Sequence, residues 1–177
     1  MIAPHKYVFS GADTLFPVGS RQLPPADMSQ MPEAAIYCDG ASSGNPGHSG
    51  IGVVIRIKKR PRISEFRNQA PGGLRISEYI GIATNNIAEY TAFVRGLEEA
   101  KHLGLKRVEI FLDSELLVKQ IKGVYRIKSA KLKPFWEKAR DILNQFGSYK
   151  ITHIQRELNK EADLLAKDAI RNFQKLI

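Results

Sequence analysis

At 177 residues the chain has the length of one ordinary domain and can bury a real core. Hydrophobic residues make up 43% and charged residues 25%, a globular rather than disordered composition. The formal charge of +9 points to a polyanionic partner, while no apolar run approaches the roughly 18 residues that a membrane span needs.

Residues 1–33 differ in character from the remainder of the chain. Pro17, Pro24, Pro25 and Pro32 break them up and no periodic apolar face appears, so a flexible N-terminal extension is expected. The first residues lack the charged-then-apolar plan of a signal peptide, and a cytoplasmic protein is expected. From Ala34 the pattern becomes regular, and 34–177 reads as one domain. A strand over 34–41 ends near Asp39, the run Gly44-Asn45-Pro46-Gly47 turns the chain, and a second strand over 49–58 returns. Cys38, the only cysteine, sits inside the first strand; it excludes a disulfide framework and reads as core packing. A basic connection comes next, with Lys58, Lys59, Arg60 and Arg62, and a third strand over 74–82 completes an antiparallel meander.

Thr84, Asn85 and Asn86 offer capping oxygens to a helix over 86–103, whose apolar stripe runs through Tyr90, Phe93, Val94, Leu97 and Ala100 before Gly104 stops it. Val108 to Leu112 is a short buried strand ending at Asp113. Helices over 114–121 and 132–146 come after it, then a strand over 149–155 and a final helix over 160–175 capped by Asn159. The order β β β α β α α β α predicts an α/β domain: a mixed five-stranded sheet, three strands as a meander plus two joined through helices, with helices packed on it.

Four carboxylates fall at element ends: Asp39 and Asp113 at strand ends, Glu89 and Asp163 near helix starts. Each alone could be turn or capping chemistry. Brought together they would repel strongly without a cation, and hard oxygen ligands of this kind select magnesium or manganese rather than zinc. A pair of such ions is the usual device for phosphodiester displacement.

Four segments carry a resemblance. Asp39-Gly40-Ala41-Ser42-Ser43-Gly44-Asn45-Pro46-Gly47, Thr84-Asn85-Asn86-Ile87-Ala88-Glu89, Phe111-Leu112-Asp113-Ser114 and Asn159-Lys160-Glu161-Ala162-Asp163-Leu164-Leu165-Ala166 resemble the signature blocks of type 1 ribonuclease H. The resemblance spans about 34–170. It implies the ribonuclease H-like fold and a two-metal endonuclease that cuts the RNA strand of RNA/DNA hybrids irrespective of sequence, leaving 5′-phosphate and 3′-hydroxyl ends. Two Mg²⁺ ions, with Mn²⁺ able to substitute, are implied at Asp39, Glu89, Asp113 and Asp163. Asn45, Asn85 and Asn86 match the family's minor-groove contacts to RNA, and Thr84 its DNA-phosphate threonine. The RNA/DNA hybrid is the implied partner, with no membrane, no obligate protein partner and a monomeric state expected.

The sequence departs from the family pattern in two places. His153 comes too early for the family's catalytic histidine, and Arg156 occupies the register where some members carry arginine instead. The basic handle of some members is missing; the short connection is lysine-rich instead, and Lys128, Lys131 and Lys133 are expected to meet phosphates. Tyr125 could stack on bases, whereas Trp136 reads as core. The alternatives are a hybrid- or duplex-RNA-binding module with weak or no nuclease activity, which the full set of acids opposes, and a DNA-cutting nuclease of the same fold, which the asparagines oppose.

Overall fold

A computed structural model describes residues 33–59 and 73–176; the expected extension up to residue 32 and residues 60–72 of the basic connection lie outside the described residues. Five strands, β1 (Glu33–Gly44), β2 (Gly47–Lys59), β3 (Leu74–Ala83), β4 (Arg107–Leu112) and β5 (Ser148–His153), form one sheet in the order β3-β2-β1-β4-β5. The first three pair antiparallel as a meander, and β4 and β5 run parallel to β1. Four helices cover it: α1 (Asn85–His102), α2 (Glu115–Ile121), α3 (Lys133–Leu143) and α4 (Lys160–Gln174), the last preceded by a 3-10 turn at Arg156–Leu158. The expected element order is observed throughout.

The alternation of side chains along a strand assigns the helices to opposite faces. Ile36, Cys38 and Val53 lie against Gly96 of α1, where a Cβ would come within 2.8 Å of the Cys38 Sγ. Gly50 and Gly52, on the other face of β2, lie against the backbone of α4: a Cβ on Gly52 would sit 2.0 Å from the Ala162 carbonyl oxygen. Both helices therefore approach the sheet as closely as glycine permits. The α1 side holds the main core, including Ile36, Val53, Tyr90, Phe93, Leu97 and Ile110, with Cys38 buried among them. Trp136 of α3 belongs to the same core.

Helix ends obey the chemistry of their caps. The Thr84 hydroxyl accepts from the Ile87 N–H at 3.3 Å to start α1, and Gly104, at φ +66°, reverses the chain after it. Ser114 starts α2 in the same way, through the Leu117 N–H. Pro134 lies in the first turn of α3, where its missing N–H costs nothing.

One expectation is corrected. Asp39 does not close β1, which runs five residues further to Gly44. Pairing with β4 stops at Cys38↔Leu112, but pairing with β2 continues through Ser42↔Ser49 to Gly44↔Gly47. Ser42, one residue past the expected strand end, donates to the Ala83 carbonyl at 2.9 Å, and the single hydroxyl hydrogen of Ser49 opposite it can go either to the Ser42 oxygen at 3.0 Å or to the same carbonyl at 3.1 Å. Those bonds tie β1 and β2 to the end of β3 and keep the ladder closed.

Candidate active site

Asp39 projects from β1 where β4 falls away, so its carboxylate stands at the point where the sheet splits. It points to the α4 face, as its partner Gly52 does. Gly40 next to it faces α1, and a Cβ there would lie 2.2 Å from the Glu89 nitrogen. Glycine at 40 thus lets the first turns of α1 approach the strand and brings Glu89 to Asp39. Asp113 comes directly after the last residue of β4, beside Cys38 in the register, and arrives from the third side. Asp39, Gly40, Ser42, Asn85, Glu89, Asp113, Ser114, Arg156 and Lys167 line one open pocket of about 320 Å³.

Asp163 of α4 does not line this pocket; it stands at the edge, bonded to Arg156 and Lys167, which do. Glu161, in the same first turn, accepts from Arg56 at 2.8 Å and Arg75 at 2.6 Å, while the Ser77 hydroxyl donates to the Leu165 carbonyl at 2.7 Å. These contacts hold the start of α4 against β2 and β3. Arg156 donates to one Asp163 oxygen at 2.5 Å and Lys167 to the other at 2.6 Å.

The electrostatics result from this crowding. Asp39 is only 8% exposed, and burial, aided by Asp113, Asp163 and Glu89, pushes its carboxyl up to about 8 against the smaller opposing pull of Arg156. Glu89 is also raised, by burial first, while hydrogen bonds from Ser114 and Asn85 pull the other way. Burial alone would raise Asp163 too, but the bonds from Lys167 and Arg156 outweigh it and leave this acid below its ordinary value.

The remaining expected residues divide by position. Asn85 donates through Nδ2 to Glu89 at 2.8 Å, and its backbone N–H donates to Asn45 Oδ1 at 3.2 Å, linking the first turn to α1. Asn45, Asn85 and Asn86 are exposed, and Thr84 adjoins them as the cap of α1. Lys128, Lys131 and Lys133 are exposed but lie outside the pocket lining, the first two on the connection into α3 and Lys133 at its first residue. Tyr125 is 47% exposed with the Lys119 ammonium over its ring. Arg156 enters the pocket, whereas His153 ends β5 with Nε2 3.2 Å from the Asp113 backbone oxygen.

Three residues of the site escape sequence reading. Lys167 is detectable in principle, since it stands one helical turn after Asp163. Ser114 reads only as a cap. Asn159 occupies the cap position of α4 but makes no side-chain capping bond; its amide reaches across to the sheet instead, which spacing alone does not reveal.

The donor set suits a hard divalent cation: side-chain carboxyl oxygens only, three on the pocket wall and a fourth at its edge, whose crowding raises Asp39 and would be relieved by positive charge. Among the described residues no three acid, histidine or cysteine side chains already converge as tightly as a bound ion would hold them, and Asp163 is engaged by Arg156 and Lys167.

The family described as reverse transcriptase-like matches residues 37–169. Ribonuclease HI of Halobacterium salinarum is 37% identical over 134 residues, covering 76% of this chain and 62% of that protein. A bifunctional protein of Mycobacterium tuberculosis is 33% identical over 138 residues, 78% of this chain and 35% of that one, so the chain spans less than two thirds of either relative. The crystal structure of the H. salinarum RNase H1 superposes with a TM-score of 0.68 at 34% identity, covering 79% of this chain and 98% of that one. LC11-RNase H1 in complex with RNA/DNA hybrid gives 0.66 at 37% identity, over 80% of this chain and 99% of that one. With three quarters of its length matched in sequence and its sheet matched in space, the chain belongs to the reverse transcriptase-like family, in the type 1 ribonuclease H branch.

Proposed function

We propose that the chain is a divalent-metal-dependent endoribonuclease that hydrolyses the RNA strand of RNA/DNA hybrids without regard to sequence, leaving 5′-phosphate and 3′-hydroxyl ends. The observation that carries this reading is the meeting of Asp39, Glu89 and Asp113 on one pocket wall with Asp163 at its edge, on a chain of net charge +9. The basic surface attracts the polyanion, and the acids reserve one point on it for cations. The four acids would hold Mg²⁺, with Mn²⁺ able to substitute. When bound, a pair of such ions supplies an acidified water for in-line attack and a Lewis acid for the departing 3′-oxygen.

The chain's own residues provide the rest. Asn45, Asn85 and Asn86 carry amides that both donate and accept, as a ribose 2′-OH does, so they test for RNA without reading bases. Thr84 caps α1 with its oxygen lone pair and keeps its hydroxyl hydrogen for a DNA phosphate. Arg156 stays charged at any relevant pH and acts by charge and hydrogen bonding, releasing Asp163 when cations arrive. Lys128, Lys131 and Lys133 bind the backbone away from the cut. The reading carries with it a monomeric protein acting in the cytoplasm; no described helix is long and apolar enough to cross a membrane.

Asp113→Asn tests the assignment. It keeps the shape of the side chain but removes its charge. Cleavage of a hybrid should fall by at least about a hundredfold while hybrid affinity, measured by fluorescence anisotropy, is retained. Turnover near wild type would remove Asp113 from the site.

A further inference from the structure

Asn159 is 1% exposed and lies between two acceptors. Its Nδ2 donates to the Cys38 carbonyl at 2.9 Å and to Asp113 Oδ1 at 2.7 Å. Because both neighbours can only accept, the amide has one possible orientation: turned over, it would set its own oxygen against a carbonyl and a carboxylate. Asn159 Oδ1 is buried without a hydrogen-bond partner among the described residues.

Those bonds fall at a critical place. Cys38 is the last residue of β1 in register with β4, and Leu112 the last of β4. Asn159 supplies a donor where that ladder runs out, between Asp39 on one strand and Asp113 on the other. The Asn159 backbone carbonyl in turn accepts from the Asp163 N–H at 3.1 Å. One residue from the start of α4 thus fixes the side chain of one acid, the stretch of β1 that carries a second, and the helical turn that carries a third.

We propose that Asn159 is a positioning residue for the reaction: its amide holds Asp113 in one rotamer, with Oδ2 left for a cation, and locks the start of α4 to the point where the pairing of β1 with β4 ends. This deepens the ribonuclease reading and rests on it. Groups one shell out from a metal commonly alter affinity or activity by about 10–100-fold when removed.

The test compares wild type, Asn159→Ala, Asn159→Ser and Leu143→Ala, the last a core truncation in α3 outside the pocket lining that reports the effect of lost stability alone. Mn²⁺ and Mg²⁺ binding to the substrate-free proteins is measured by calorimetry, and kcat and KM on a hybrid at saturating Mg²⁺. For Asn159→Ala the metal Kd should weaken about tenfold and kcat fall about tenfold or more, with KM for the hybrid within about twofold of wild type. Leu143→Ala should lower Tm but leave metal affinity and kcat unchanged. Serine, with one hydrogen to donate, can hold one acceptor but not both, so Asn159→Ser should lie between wild type and alanine; it also decides the matter if the alanine variant does not fold. Metal affinity and kcat equal to those of Leu143→Ala would overturn the positioning role and leave the ribonuclease reading standing. A wild-type protein that binds neither metal and cleaves no hybrid would remove both.

Discussion

Substituting Gly52 by alanine adds one methyl group and should displace a helix. The new Cβ would lie 2.0 Å from the Ala162 oxygen, 2.7 Å from the Ala166 nitrogen and 2.9 Å from the Ala162 carbonyl carbon. All three are backbone atoms, so no side chain can swing aside. Since real Cβ contacts essentially never fall below 3.0 Å, the shortfall against the Ala162 oxygen is 3.0 minus 2.0, or 1.0 Å, and α4 and β2 must separate by about that much. Asp163 is the next residue after Ala162 and moves with it. Overpacking of this kind costs about 1–3 kcal/mol of stability, and a misplacement of about 1 Å can cost about a hundredfold in rate. Gly52→Ala should therefore lose part of its denaturant midpoint and most of its kcat, while KM for the hybrid changes little, because Asn45, Asn85 and Asn86 lie on other elements. Urea unfolding and steady-state cleavage on the same preparation would show both effects. A variant with wild-type midpoint and kcat within twofold would refute the idea that the close seat of α4 on β2 sets the position of Asp163.

Two other outcomes stem from the charges. In the metal-free protein, Asp39 is raised from its ordinary 3.8 to about 8, so the folded state binds more protons than the unfolded state between those values. Its contribution is fully present below about 4 and is lost as pH rises through about 8, a loss on the order of a few kcal/mol. Asp39→Asn should consequently be more stable than wild type at pH 8.5 without metal, with the difference vanishing near pH 4; equal melting curves at both pH values would contradict the buried-acid geometry. Binding a cation must also expel that proton, so Mg²⁺ affinity should rise with pH up to about 8, and calorimetry in buffers of different ionisation enthalpy should detect proton release. Changing Lys128, Lys131 and Lys133 together to alanine should flatten the salt dependence of hybrid binding by roughly two to three in the log-log slope, while an unaltered slope would exclude them from phosphate contact.

The elements of this fold are legible because each has its own period. The alternation of β1 and β2 and the apolar stripe of α1 lead to the observed spans within a few residues, and the acids stand out because they terminate apolar runs. The expected end of the first strand at residue 41 falls short at Ser42, whose hydroxyl, with that of Ser49, lies within reach of the Ala83 carbonyl at the end of β3. Those two contacts span 41 and 34 residues of sequence and have no local signature. The same holds for Asn159, whose bond to Cys38 spans 121 residues; an asparagine before a helix reads as a cap whichever way its amide turns. Gly40 and Gly52 look like ordinary strand glycines until the helices behind them are in view. Sequence pattern names the residues that carry charge. The contacts that hold those charges within reach of one another belong to tertiary structure.

The most direct measurement is cleavage of matched end-labelled substrates, an RNA/DNA hybrid, an RNA duplex and a DNA duplex of one sequence, with Mg²⁺, Mn²⁺ or EDTA. The expected result is cutting at many positions along the RNA of the hybrid, with 5′-phosphate and 3′-hydroxyl products, in either metal and not in EDTA, and an intact DNA duplex throughout. A folded protein that leaves the hybrid whole in both metals, or that cuts the DNA duplex in preference to it, would contradict the assignment of Asp39, Glu89, Asp113 and Asp163 to hydrolysis of RNA paired with DNA.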